Sequence, residues 1–251
     1  MIWRRLLAML AIVLGLSLGA CNTAPAPTPT AEAPPTASAP PTQNTAPEPS
    51  PTEGLAVLAG EATVALQVSG GQVLIELDGS HAPVTAGNFV DLVERGIYDG
   101  SVFHRVIREP DPFVVQGGDP QSVDPSVPPE RLGTGSFVNP DTGEARFIPL
   151  EIQPEGANDP AYNQAFDLAR GAAPPVLRHT RGAIAMARSQ PLDSASAQFY
   201  IALADLPFLD GNYAVFGYVT EGMDVVDGIQ QGDILDSAEI LEGAENLQPA
   251  G

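Results

Sequence analysis

The sequence predicts a mainly β fold, a closed barrel or a sandwich, carried behind a leader and a tether. Three observations point there. Short apolar runs with period-two alternation recur from Glu61 onward. Only two segments show helical periodicity. Glycine and proline clusters bound the runs, as expected of many short strands joined by tight turns.

The leader comes first. Met1-Ile2-Trp3-Arg4-Arg5 is a short basic start, and Leu6 to Ala20 is a continuous run of 15 apolar and small residues. That is too short for a comfortable membrane span and right for a signal-peptide core, so residues 1–20 read as a signal peptide. The run ends at Leu18-Gly19-Ala20-Cys21, which resembles the bacterial lipobox; there the cysteine is lipidated and becomes the mature N-terminus. Cys21 is therefore the expected lipidation site and membrane anchor. It is the only cysteine, which excludes an internal disulfide and a cysteine-ligated metal cluster. Residues 22–53 are nearly all Ala, Pro, Thr, Ser and Glu, with 10 prolines. They cannot bury enough apolar surface to offset the entropy of ordering, so 21–53 is expected to be a disordered tether.

The folded part is expected over 54–251. Val64, Leu66 and Val68 alternate with smaller or polar residues, Ser69-Gly70-Gly71 turns the chain, and Val73, Ile75 and Leu77 alternate again. This is a β-hairpin. Pro83 then opens a helix with Ala86, Phe89, Val90 and Val93 on one face and Gly96 past its end. Strands follow in Phe103–Ile107, Phe113–Gln116, Gly182–Ala187, Gln198–Leu203 and Ala214–Val219. A second helix spans Gly222–Gln230, with Met223, Val226 and Ile229 on one face. Residues 121–178 are rich in Pro, Gly and Asp, with only brief apolar patches such as Phe147-Ile148-Pro149-Leu150. Loops this long in compact domains are often functional.

Charge and motif content narrow the chemistry. There are 31 acidic residues against 11 arginines and no lysine, a net charge of −20. This balance argues against nucleic acid as a partner. The missing lysine excludes Schiff-base chemistry and a P-loop. His81, His104 and His179 have no metal-ligand spacing, and no nucleophile elbow or HExxH motif occurs. Strand alternation puts Arg105 on the same face as Phe103 and Ile107, a guanidinium among apolar neighbours. It puts Phe199, Ile201 and Leu203 toward the core, with Gln198 and Tyr200 facing the other way.

The ordered combination is specific. Phe103-His104-Arg105-Val106-Ile107 followed by Phe113-Val114-Val115-Gln116-Gly117-Gly118-Asp119 resembles the signature of cyclophilins, the prolyl cis/trans isomerases. Pro83 to Phe89, Met186-Ala187 with Gln198 to Ile201, and Phe208 to Gly217 match further family segments in order. The resemblance covers roughly residues 61–235 and leaves the insertion, about 121–178, unmatched. It implies a closed eight-stranded antiparallel barrel capped by two helices, with a substrate groove on its outer face. It implies that Arg105 is catalytic. Phe113, Val114, Tyr200 and Leu209 would hold the substrate proline, and Gln116, Ala187 and Gln198 would lie beside the peptide backbone. Phe208 and Tyr213 would complete the rim. The resemblance implies proline-containing polypeptides as substrates, turned over without metal or cofactor; the leader places them outside the cytoplasm, where the domain, with no cysteine to pair, is expected to assist their folding as a monomer. Several members carry Trp at the position of Phe208 and His at that of Tyr213, and Val114 replaces a commonly larger Met. The hairpin tip from Arg108 to Pro112 is longer than in compact members.

Overall fold

The computed structural model describes residues 52–250. The leader, Cys21 and the tether as far as residue 51 lie outside the described residues.

The first hairpin forms where alternation places it. After a two-residue strand β1 (Val57–Leu58), β2 (Glu61–Val68) pairs antiparallel with β3 (Gly71–Asp78), from Glu61 opposite Asp78 to Val68 opposite Gly71. Two residues are left for the turn, Ser69 at φ 52° and Gly70 at φ 78°. Left-handed backbone at both is what a two-residue hairpin turn matched to strand twist requires. Val64, Leu66, Val73, Ile75 and Leu77 are all buried.

Helix α1 (Pro83–Glu94) starts at the expected proline, and Gly96 follows its end at φ 66°. It is buried more completely than a single apolar face predicts: every residue from Val84 to Val93 is buried. Its N-terminus has no cap from its own flank. Instead Glu151, far along the chain, accepts hydrogen bonds from the Val84 and Thr85 backbone N–H groups at 3.1 and 2.7 Å and from the Thr85 hydroxyl at 2.7 Å. A carboxylate there satisfies orphan donors at the positive end of the helix dipole. Burial raises the Glu151 pKa, and these hydrogen bonds oppose the rise.

The chain continues through β4 (Ser101–Val102), β5 (Arg105–Ile107), β6 (Val114–Gly117), β7 (Glu151–Ile152), β8 (Ala161–Tyr162), β9 (Ala183–Met186), β10 (Phe199–Ala202) and β11 (Val215–Glu221). Helix α2 (Met223–Gly228), β12 (Ile234–Glu242) and β13 (Leu247–Gln248) complete it. Nine strands form one curled antiparallel sheet in the order β4-β12-β2-β3-β11-β9-β10-β6-β5. Its two edge strands, β4 and β5, are consecutive in the chain, separated by Phe103 and His104 alone. Counted as one interrupted run they bring the number to eight. They are not hydrogen-bonded to each other, so the run joins the two edges of the sheet covalently rather than through a ladder.

That interruption corrects one expectation. The alternation that put Arg105 with Phe103 assumed an unbroken strand. Phe103 is buried in the core against Phe199, whereas Arg105 is exposed. The Phe103 N–H still donates toward the β12 side, to Asp233 O at 2.9 Å, before β5 pairs with β6 from Arg105 onward. Arg105 is therefore not lodged among core side chains. The core itself is a ring cluster in which Phe89 lies 4.9 Å from Tyr98, 5.4 Å from Phe199 and 5.2 Å from Phe216 between centroids.

The 121–178 segment is bound to this frame. Ile148 and Leu150 are buried, β7 pairs with β8, and Arg146 reaches Asp91 of α1 while stacking on Phe137 at 4.5 Å. Burial acts to raise the Asp91 pKa, but hydrogen bonds from Arg95 and Arg146 outweigh it and hold the carboxyl below its usual value of 3.8. A depressed carboxyl contributes stability above its unfolded-state pKa and loses it as pH falls through the folded one. Urea-unfolding midpoints should therefore drop as the pH is taken below about 4, and Asp91→Asn should be less stable at pH 7 with a flatter acid limb.

Candidate active site

The site is built on three adjacent strands. In the ladder Arg105 lies opposite Gln116, and Gln116 lies opposite Tyr200. Their neighbours Val106, Val115 and Ile201 also pair across the same three strands and face the core. Period-two alternation thus turns one row inward and the other outward.

On the outer face Arg105, Phe113, Val114, Gln116, Tyr200 and Tyr213 border a cavity of about 170 Å³, together with Ala187 and Leu209. The Arg105 guanidinium stands 5.5 Å from the Phe113 ring centroid. Its orientation is set by a chain of side-chain amides. Arg105 NH1 donates to Gln116 Oε1 at 3.1 Å, Gln116 Nε2 donates to Gln198 Oε1 at 3.2 Å, and Gln198 Nε2 donates to Gly135 O at 2.9 Å. The last acceptor is held in turn by Asp119, which accepts from the N–H groups of Gly133 and Gly135 at 2.6 and 3.2 Å. The Gly117-Gly118-Asp119 stretch thus does more than turn the chain. Gly118 sits at φ 77° with Phe199 and Ala197 O where a Cβ would be, and Asp119 folds the following loop against the site.

A family model described as cyclophilin-type peptidyl-prolyl cis-trans isomerase matches residues 63–244. The chain belongs to the cyclophilin family. It is 38% identical over 210 residues to a Synechocystis protein named as a thylakoid lumen peptidyl-prolyl cis-trans isomerase, covering 79% of this chain and 52% of that one. It is 36% identical over 173 residues to peptidyl-prolyl cis-trans isomerase A of Dickeya dadantii, covering 67% of this chain and 70% of that one. The chain thus spans about half the length of the Synechocystis relative. A crystal structure of a Cryptosporidium parvum cyclophilin-type isomerase superposes with a TM-score of 0.54 at 23% identity, over 72% of this chain and 98% of that one, which supports the fold.

Within this cyclophilin, eight of the ten sequence-predicted site residues border one cavity. Gln198 borders the neighbouring cavity and enters through its bond to Gln116. Phe208 lies outside, stacked on Phe113 with centroids 6.0 Å apart and planes at 19°. Three contributors carry no pattern that sequence reading could use. Arg188 lies 4.8 Å from the Tyr213 ring and donates through Nε and NH2 to Asn212 O at 3.0 and 2.7 Å, which ties the Tyr213 loop to the end of β9. His179 and Asp210 lie behind Tyr200. The Asp210 carboxylate, 2.7 Å from His179 Nδ1, can only accept, so the proton sits on Nδ1 and Nε2 accepts from the Tyr200 hydroxyl at 2.9 Å. Burial lowers the His179 pKa despite Asp210 and raises that of Tyr200, so both are neutral near pH 7.

The Tyr200 hydroxyl is therefore anchored in the protein. Tyr200→Phe should keep the cavity and leave turnover within about threefold. It should cost about 1–3 kcal/mol in urea unfolding, because a buried His179 nitrogen loses its partner.

Proposed function

We propose that this chain is a peptidyl-prolyl cis/trans isomerase that works outside the cytoplasm, anchored by lipid at Cys21, on X-Pro bonds of proteins that are folding there. The observation that carries the reading is the Arg105 guanidinium, exposed and oriented at the mouth of a cavity walled by Phe113, Val114, Tyr200 and Leu209. The apolar walls suit a pyrrolidine ring. The Gln116 and Gln198 amides suit the peptide groups beside it.

The chemistry follows from the amide bond. Its rotation barrier of ~18–20 kcal/mol comes from resonance. As the bond twists, resonance is lost and the proline nitrogen gains an accepting lone pair. Arg105 can donate to that nitrogen only in the twisted state, so the interaction lowers the barrier selectively. A rate gain of about 10⁵ needs about 7 kcal/mol. A charge-assisted hydrogen bond plus a fixed ring geometry is of that order. Nothing in this step requires a nucleophile, a proton transfer or a cofactor.

The compartment rests on the leader and on Leu18-Gly19-Ala20-Cys21, and the lumenal name of the Synechocystis relative agrees with it. Among the described residues no helix is long and apolar enough to cross a membrane. Cys21→Ser should leave a precursor without lipid mass that no longer partitions into membranes. Wild-type protein lacking lipid at Cys21 would overturn the anchor.

Arg105→Ala should lower kcat/KM for an X-Pro peptide by about 10²-fold or more, as removal of one preorganised transition-state donor does. Ground-state binding of the same peptide should change less. Undiminished activity in the variant would remove Arg105 from the mechanism, and a wild type that binds without turnover would make the domain a binding module.

A further inference from the structure

We propose that the groove next to the proline cavity, between the β5–β6 tip and the loop after β10, is a subsite for a lysine or arginine that flanks the substrate proline. The inference rests on the isomerase reading and adds the sequence context that this site prefers.

The groove is a cavity of about 600 Å³ with Pro110 and Pro112 on one wall and Leu206 and Phe208 on the other. It adjoins the proline cavity, and Phe113 borders both. An extended chain advances ~3.3 Å per residue. The Phe113 and Phe208 centroids are 6.0 Å apart, so a peptide with its proline seated enters the groove within a few residues. Phe208 is 66% exposed, more than any other large apolar side chain among the described residues. With Pro110, Pro112 and Leu206 in the same lining, it forms a contiguous apolar surface beside the substrate cavity, which marks a contact surface.

The groove is also preformed. Arg108 at its tip donates through NH2 to Val226 O at 3.0 Å and Asp227 O at 2.9 Å. Across its base the Phe113 N–H donates to Ile107 O at 3.0 Å, and the Leu203 N–H donates to Phe113 O at 2.9 Å. The tip that exceeds the compact family pattern is thus tied down as one wall.

Charge selects the occupant. Glu109, Asp111 and Asp205 border the groove, and no basic side chain does. Asp205 uses Oδ1 to accept the Arg181 N–H at 2.9 Å. Among the described residues the Glu109 and Asp111 carboxylates have no hydrogen-bond or ion-pair partner. A lining that combines apolar side chains with three carboxylates fits a side chain with an apolar stem and a cationic head. The stem of a lysine or arginine lies along Phe208 and Pro112, and its head meets the carboxylates. A glutamate in the same place meets three like charges.

The test is a set of peptides with one X-Pro core and Lys, Arg, Ala or Glu at each of the three positions on either side. Isomerisation gives kcat/KM, and anisotropy of the labelled peptides gives ground-state binding. At one flanking position the basic peptides should exceed the glutamate peptide by about fivefold at low salt, as expected of two or three exposed ion pairs. The advantage should shrink with added salt. Glu109→Gln/Asp111→Asn should abolish most of it while leaving the alanine peptide unchanged. Glu239→Gln/Glu242→Gln, on the exposed side of β12, should leave it intact. Equal rates for all flanks, or a preference that survives the first pair or falls equally with the second, would overturn the subsite. Binding preference without turnover would uphold the subsite and sink the isomerase reading; loss of both preferences at measurable binding would sink the subsite alone.

Discussion

Everything at the outer face depends on the register of β5, β6 and β10. A strand offers alternate side chains to opposite faces, and a slip by one residue exchanges them. Arg105, Gln116 and Tyr200 are outside only because Val106, Val115 and Ile201 are inside. The core therefore positions the site. Burying the apolar row fixes the register, and the register aligns a guanidinium, an amide and a phenol in one line across the sheet. A substitution in the inner row that loosened the ladder would disturb the outer row without touching it.

Three carboxylates bind the irregular part to this frame. Glu151 caps α1, Asp91 holds Arg146, and Asp119 folds the loop at 133–135. Each is buried, and each answers donors that would otherwise be costly to leave unpaired. A region without regular secondary structure over most of its length is thereby made part of the domain. It also reaches the site, since Gly135 O is the last acceptor in the amide chain that starts at Arg105.

Local patterns were legible from sequence where local physics decides them. The Ser69-Gly70 turn, the Pro83 start of α1, and the opposite facing of Phe199 and Tyr200 all follow from rules that act over a few residues. The cavity residues were legible only through family resemblance, because they meet from β5, β6, β10, the segment after β9 and the loop after β10. Alternation misled at Arg105, where the break at Phe103-His104 resets the face. Glu151 could not be recognised as a cap for a helix 66 residues earlier in the chain. Arg188, His179 and Asp210 act through tertiary contacts that have no periodicity. The number of strands depends on the same break: nine when the run 101–107 is divided, eight when it is not.

The pairing of Tyr200 and Tyr213 has an optical consequence. The sole tryptophan of the chain is Trp3, outside the described residues, so residues 52–250 have only tyrosine as an intrinsic chromophore in the near ultraviolet beyond phenylalanine. Of its 5 tyrosines, these two border the cavity, edge to face at 6.1 Å. Tyr213 also lies against the Arg188 charge. A ligand that displaces solvent from this pair changes the polarity around two of the five chromophores at once. The domain thus carries a label-free spectroscopic reporter at its own groove, undiluted by tryptophan emission from elsewhere in the fold.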